Sequence, residues 1–398
     1  MNILQICLRI PFPPKDGAAI AMNSIARGLT ELNQNLTVLA VNTPKHWVNV
    51  NEIPNQYIKN LTFKSVNINT EVKPFNALCS FFTPNHSYNI SRFYNREFNS
   101  LLQNTLTNNH FDYVIVESLF MSPYLNTIRQ FSEAKVILRS HNIEFTIWET
   151  LSKNEKNSFK KFYINHLAKR LKKYELKIGE KFDAIIPISL NDEEFYKKRY
   201  PSKCIKTIYC GVSNQLLECN SNPEFTSSIY HLGSMDWLPN IEGINWFLKE
   251  IWPVIHKENK QIKCYLAGRK MPDSILKQNN ESLIVESYID DSISFQLKHN
   301  IMIVPLLTGG GVRIKILEGL ALGKVIVTTP KGAEGLNLMS GKNILIADTA
   351  EEFAKMILKC VGDPEFCKYI STNARSFAKE EFSNKALVQN LLAFLKTV

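Results

Sequence analysis

The stretch TGGGVRIKILEGLALGKVIVTTPKGAEGL, residues 308–336, sets three glycines directly ahead of Arg313, Lys315 and Glu318. Cations opening what reads as a helix oppose its dipole, at about a few tenths to 1 kcal/mol each. A bound anion reverses that sign. Gly309, Gly310 and Gly311 follow an apolar run, so the backbone there can form a nest-like turn that binds anions through successive N–H groups. Arg313 suits bidentate contact with a diphosphate, and Lys315 supplies a point charge. Glu318 could accept from a hydroxyl pair such as that of a ribose. The plain alternative is an ordinary Lys315–Glu318 surface pair worth about a few tenths of a kcal/mol. The spacing favours the phosphate reading.

Two further places could carry chemistry. Lys15-Asp16-Gly17-Ala18-Ala19 follows the first apolar run. At that loop-to-helix junction, backbone N–H groups could meet an anion or a sugar hydroxyl, although Gly17 serves equally as a plain helix start. His141 follows the run ILRS and precedes Asn142, Ile143 and Glu144. A histidine at a strand's carboxyl end is placed for chemistry, and a lone one is more often structural. Neither G-x-G-x-x-G nor G-x-x-x-x-G-K-[ST] occurs, so the usual dinucleotide and P-loop signatures are absent. There is no D-x-D; Asp290 and Asp291 are adjacent and do not converge easily on one metal, so no metal site is expected. The eight cysteines, at 7, 79, 204, 210, 219, 264, 360 and 367, form no C-x-x-C pair. They read as scattered thiols in a reducing cytosol.

The apolar fraction of 44% and charged fraction of 21% are those of a soluble globular chain, and 398 residues suffice for two domains. No window approaches the ~18 uninterrupted apolar residues of a bilayer span. The first residues read as a buried strand and not as a signal peptide. The net charge of +10 is uneven: between Lys153 and Lys181 stand ten Lys or Arg against Glu155, Glu175 and Glu180. Phe159, Phe162, Tyr163, Leu167, Leu171, Tyr174 and Ile178 recur there at three- and four-residue spacing, which predicts an amphipathic helix pair or one long helix. A solvated face and attraction to an anionic membrane or acceptor are the two readings. A nucleic-acid partner is not expected, since no exposed aromatics are read between the basic residues and no helix-turn-helix, RNP or zinc-finger pattern occurs.

These residues need elements to position them. Apolar runs predict strands at 2–8, 36–42, 113–118, 135–141, 184–189 and 206–211, then at 229–234, 263–268, 283–288, 300–306, 324–329 and 343–348. Helical patterns between them predict parallel crossovers and two doubly wound α/β domains. The expected division is 1–212, a polar linker over 213–228, 229–382, and a terminal helix over 383–398. Ligands of such sheets sit beyond the carboxyl ends of the strands. That brings in Asp16, Asn142, Glu144, Asp236 and Asn240 as candidate acceptor or sugar contacts, and Arg269 as a further strand-end position, held in reserve for phosphate where the resemblance drawn below finds the usual cations missing.

With these positions assembled, the chain resembles the glycosyltransferase family 4 group of retaining GT-B enzymes. The resemblance is carried by G-A-A after the first strand, RSHNIEFTIWETL, YHLGSMDWLPNIEG and GGGVRIKILEGLALGKVIVTTPKGAEGL, and runs almost end to end. It implies the α/β GT-B fold, two doubly wound Rossmann-like domains facing a central cleft. It also implies a cytoplasmic, metal-independent hexosyltransferase working in polysaccharide or lipid-linked glycan synthesis. By the same resemblance, the C-terminal domain holds a nucleotide diphosphate sugar as co-substrate, with no cofactor. The N-terminal domain presents the acceptor; the basic segment 153–181, read on its own charge, points to a glycan or lipid-linked acceptor at the inner membrane face. Glu318 corresponds to the second Glu of the family's Glu-x7-Glu pattern, Arg313 and Lys315 lie near the diphosphate, and His141 lies near the transferred sugar. The closing helix crosses back to the first domain. Two departures stand out. Gly310 occupies the place of the first Glu, so the glycine-turn amides or another side chain must hold the sugar. The usual Arg and Lys after the second domain's first strand are replaced by Gly233-Ser234-Met235-Asp236-Trp237-Leu238-Pro239-Asn240. A nucleotide-sugar epimerase and a non-catalytic nucleotide-sugar-binding scaffold are the competing readings.

Overall fold

Short apolar runs alternating with helices build two parallel sheets in a computed structural model, which describes residues 1–71, 87–219 and 227–398. The first sheet holds β1 (Asn2–Cys7), β2 (Asn35–Asn42), β3 (Thr62–Asn67), β4 (Tyr113–Glu117), β5 (Lys135–Ser140), β6 (Ala184–Pro187) and β7 (Cys204–Ile205). Its order is β3-β2-β1-β4-β5-β6-β7. The second holds β8 (Ser228–Leu232), β9 (Lys263–Ala267), β10 (Leu283–Glu286), β11 (Ile301–Val304), β12 (Val325–Thr328) and β13 (Leu345–Ile346), in the order β10-β9-β8-β11-β12-β13. Every neighbouring pair is parallel. Ile3 faces Leu36 on one side and Tyr113 on the other, and Ile301 faces Val325 and Ile229. Strands buried on both faces explain the unbroken apolar runs: Val114, Ile115 and Val116 are fully buried, as are Ile301 and Ile303.

Strand order reverses between β1 and β4 in one sheet, and between β8 and β11 in the other. The crevice at such carboxyl ends is where open α/β sheets in general take their ligands. Seven of the helices are α1 (Gly17–Glu31), α2 (Glu144–Asn154), α3 (Ser158–Gly179), α4 (Leu238–Trp246), α5 (Ile314–Ala321), α6 (Pro364–Phe382) and α7 (Asn384–Leu395). The chain divides into one unit of Met1–Cys210 with Leu387–Val398 and another of Gly211–Ala386. Within the first, Tyr113 donates to the Leu395 carbonyl at 2.9 Å, so the end of α7 is tied to β4. Of the expected linker, 220–226 lie outside the described residues, and so does Cys79. Among the described residues, no helix is long and apolar enough to cross a membrane.

Three local expectations change. The run 206–211 is not a strand. Lys206 and Ile208 donate to the carbonyls of Ile185 and Pro187, but Pro187 has no N–H to return a bond and the ladder stops at Ile205. β3 escapes the pattern because it is an edge strand, with Thr62, Lys64 and Asn67 exposed. The basic segment is a helix pair broken at 155–157, and Phe159 and Phe162 are not on its buried stripe: they are 89% and 67% exposed. Leu167, Leu171 and Glu175 form the packed face instead.

Candidate active site

The glycine turn of the second unit leaves β11 and enters α5. Gly309 and Gly311 take φ of +102° and +80°, a region L side chains rarely adopt. Gly310 does not, and a Cβ on it would meet nothing within 4 Å. Arg313, the residue just before α5, turns back on this loop. Its guanidinium donates to the carbonyls of Gly310 (2.5 Å), Gly311 and Gly309 (3.0 Å), lies 5.5 Å from the Trp237 ring, and is buried. Across a trans peptide the C=O and the following N–H point in opposite directions. Gathering three carbonyls on Arg313 therefore turns the N–H groups of Gly310, Gly311 and Val312 away from it, and none of the three has an acceptor among the described residues. The expected direct Arg313–diphosphate contact is thus replaced in this geometry by a structural one, in which the cation shapes the amide nest.

Lys315 is turned inward beneath the loop. Its Nζ donates to Asn240 Oδ1 at 2.9 Å and lies 3.5 Å from His231 Nε2, beside the carboxyl end of β8. Burial, with the Arg313 charge behind it, pushes Lys315 down to about 7. His231 is fully buried, with Nδ1 held 2.9 Å from the Ile303 carbonyl. Glu318, one turn along α5, is pushed up to about 7 by burial, which outweighs the opposing Lys315 charge. Asn240, near the start of α4, is locked by donating to the Ser234 carbonyl at 2.7 Å. Gly233 and Gly268 bring the ends of β8 and β9 together: a Cβ on Gly268 would stand 1.8 Å from the Gly233 carbonyl. Arg269 is exposed there, and Asp236 pairs with Lys270 at 3.3 Å on the same rim. The structure therefore brings Gly309–Gly311, Arg313, Lys315 and Asn240 together, with Asp236 and Arg269 on the β8–β9 rim.

In the first unit His141 is buried at the end of β5, with Nε2 2.6 Å from Glu117 Oε2. Glu117 ends β4 and also accepts from Arg139 at 3.2 Å and Gln5 at 2.7 Å. Burial alone would raise its carboxyl, but Arg139 and His141 hold it down at about 2. With Nε2 committed, Nδ1 is the ring nitrogen left for any other partner. Ser118, next in the chain, has φ of +79°, a strained position at a strand's carboxyl end. Asn142 accepts from Ser140 Oγ through its carbonyl at 2.9 Å. Glu144 is buried and pushed up to about 7 by that burial, and its N–H and that of Phe145 donate to Glu175 at 3.0 Å each. Glu175 thereby caps α2, and burial lifts it to about 8.

The first-turn amides after Gly17 are already occupied. Asp16 accepts from Ala18 and Ala19 at 3.1 Å and pairs with Arg9 at 2.7 Å and with His46 at 3.2 Å. A carboxylate fills the place expected for an anion, so Gly17 acts as a helix start. Glu117, His231, Trp237 and Glu175 were not foreseen. For Glu117 alone there was a signal, an acid closing the otherwise apolar strand YVIVE.

Residues 226–363, which include the glycine turn and α5, match the family model of glycosyl transferases group 1. An uncharacterised 44.6 kDa protein of the cps region of Klebsiella pneumoniae is 27% identical over 304 residues, 73% of this chain and 76% of its own. An uncharacterised glycosyltransferase of Methanocaldococcus jannaschii is 23% identical over 303 residues, 70% of this chain and 73% of its own. Anabaena HepE in complex with UDP superposes with a TM-score of 0.67 at 13% identity, covering 100% of both chains. Sucrose-phosphate synthase from Thermosynechococcus elongatus gives 0.68 at 13% identity, over 100% of this chain and 99% of its own. The fold is GT-B. In GT-B terms, the group 1 segment is the second sheet with its glycine turn, so the amide nest lies inside the matched region.

Proposed function

We propose that this protein is a retaining, metal-independent glycosyltransferase of family 4 that moves a hexose-type sugar from a nucleotide diphosphate sugar to an acceptor hydroxyl. The observation that carries the reading is the set of three outward amides at Gly310, Gly311 and Val312, opening onto the N-terminus of α5. Preformed donors of this kind stabilise the charge that develops on a departing diphosphate. Lys315 stands one turn away with its charge in reserve, and Glu318 is assigned to the ribose. His141, steadied by Glu117, is assigned to the transferred sugar, which it binds and shields more than it acts as a base. Attack and departure occur on one face of the sugar, which retains the anomeric configuration. The likeness to the Klebsiella cps-region protein supports a role in cell-surface polysaccharide or lipid-linked glycan synthesis. The UDP and UDP-glucose complexes of HepE support a nucleotide diphosphate donor. We place the protein in the cytoplasm, touching the inner membrane face through 153–181.

The test is a thermal melt against UDP, GDP, ADP and dTDP, each with and without EDTA. A ligand at ~100 times its Kd adds about 2.7 kcal/mol to the folded state. A shift with one diphosphate that survives EDTA supports the donor site and its independence of metal. No shift with any of the four refutes the reading.

A further inference from the structure

We propose that one face of α3 is a membrane-docking surface, in which two phenylalanines at the start of the helix enter the acyl boundary of an anionic bilayer and a row of lysines behind them lies along the headgroups. This deepens the membrane contact assigned above to 153–181 and rests on that reading. α2 ends at Asn154 and α3 opens at Ser158; Ser152 Oγ donates to the Lys161 carbonyl at 3.2 Å, tying the helices together just behind the turn. Phe159 is 89% exposed and Phe162 67%. At about 100° per residue, Phe159, Phe162, Lys169, Lys173 and Lys177 fall within an arc of roughly 80°. All five are exposed. The opposite face, through Leu167, Leu171 and Glu175, is the one packed into the unit.

The turn adds to the same end. Leu151 is 51% exposed, and Lys153, Lys156, Lys160 and Lys161 are exposed around the phenylalanines. Glu155 is the acid among them, and it accepts from the Asn157 amide at 2.8 Å. No acid stands in the first turn of α3, so its dipole leaves that end more positive still. Single exposed apolar residues are ordinary. Two aromatic rings, then the half-buried His166, then the exposed Lys169, Lys173 and Lys177 on one arc are the composition of a helix lying in a lipid interface. The positive stripe calls for an anionic surface, and rings this far into solvent call for one they can enter.

Co-sedimentation with vesicles tests this. Wild-type protein is expected to pellet with equimolar phosphatidylglycerol and phosphatidylcholine, to stay in solution with phosphatidylcholine alone, and to be released by salt. Phe159→Ser with Phe162→Ser should lower the partition coefficient by at least about tenfold. Lys169→Gln, Lys173→Gln and Lys177→Gln together should lower it on the order of a hundredfold. Both variants should keep the wild-type melting midpoint and diphosphate shift, since none of these residues packs in the core. Undiminished binding by the phenylalanine variant overturns the insertion while leaving the broader membrane contact standing. Failure of the wild type to bind phosphatidylglycerol vesicles overturns both, and so does capture by polyuridylate without vesicle binding. The diphosphate melt reports on the donor site independently of all three.

Discussion

Replacing Arg313 with alanine separates a cation that touches phosphate from one that shapes the loop which does. The side chain makes close bonds to the carbonyls of Gly309, Gly310 and Gly311. Bonds from a charged donor contribute about 1.5–3 kcal/mol each, but these carbonyls regain water when the side chain goes, because Gly310 and Gly311 are exposed. The net loss in stability of the second unit is therefore about 2–3 kcal/mol, well below the sum of the three bonds. The loss in ligand affinity has another origin. With the carbonyls released, two glycines must be re-ordered on binding, at about 1–2 kcal/mol each. That lowers diphosphate affinity by roughly thirtyfold to several hundredfold, at about 1.4 kcal/mol per decade. The Arg313→Lys variant keeps the charge but cannot fork to three carbonyls, so it should resemble the alanine variant in affinity. Isothermal titration with the diphosphate that shifts the melt reads the affinity, and urea denaturation reads the stability. If the lysine variant binds like wild type, charge alone is at work and the shaping role is refuted. If the alanine variant also binds unchanged, the diphosphate does not sit at this loop.

Three other outcomes follow from the same geometry. Gly310→Glu, which places the family's carboxylate where this chain lacks it, should fold within about 0.5 kcal/mol of wild type, because its Cβ meets open space. Gly311→Ala should cost about 1–2 kcal/mol for its φ of +80°, so equal denaturation midpoints for the two would refute the assignment. Glu117→Gln should destabilise the first unit by about 3 kcal/mol at neutral pH, from the depression of its carboxyl from 4.5 to about 2. That stability is present above 4.5 and is lost as pH falls through about 2, so the wild-type advantage should shrink between those values in acid titrations. Lys315, held down at about 7, should take up a proton when a diphosphate binds above that pH, so affinity falls as pH rises above about 7. Binding enthalpies that match between phosphate and Tris buffers at about pH 8 would show that no proton is taken up.

Much of the architecture was open to sequence reading because both sheets are buried on two faces, which forces continuous runs such as VIVE and IMIV. What escaped was whatever a run cannot encode. β3 is an edge strand with one solvated face, and Pro187 stops a ladder from the neighbouring strand. The candidate site divides along the same line. Glycines, Arg313 and Lys315 were visible as types at a spacing, but the direction of each side chain is set by partners far away in sequence. Asn240 and His231 hold Lys315 from 75 and 84 residues away, and Glu117 holds His141 from 24. No local pattern reports such contacts.

The two helix starts differ in a way that bears on why a cation should stand at the beginning of α5. At α1 the protein's own Asp16 fills the first-turn amides, and Arg9 and His46 neutralise that carboxylate, so the end is electrically complete. At α5 the residue in the equivalent place is Arg313, which caps nothing with its side chain. It instead draws three carbonyls away and leaves the amides of Gly310, Gly311 and Val312 uncovered. Both the dipole and the half-buried Lys315 then disfavour the empty state, by about a few tenths to 1 kcal/mol per charge in the first turn. A protein under selection for stability alone would place an acid there, as this chain does at Asp16. Keeping a cation and two left-handed glycines instead is consistent with an end whose missing charge arrives with the ligand.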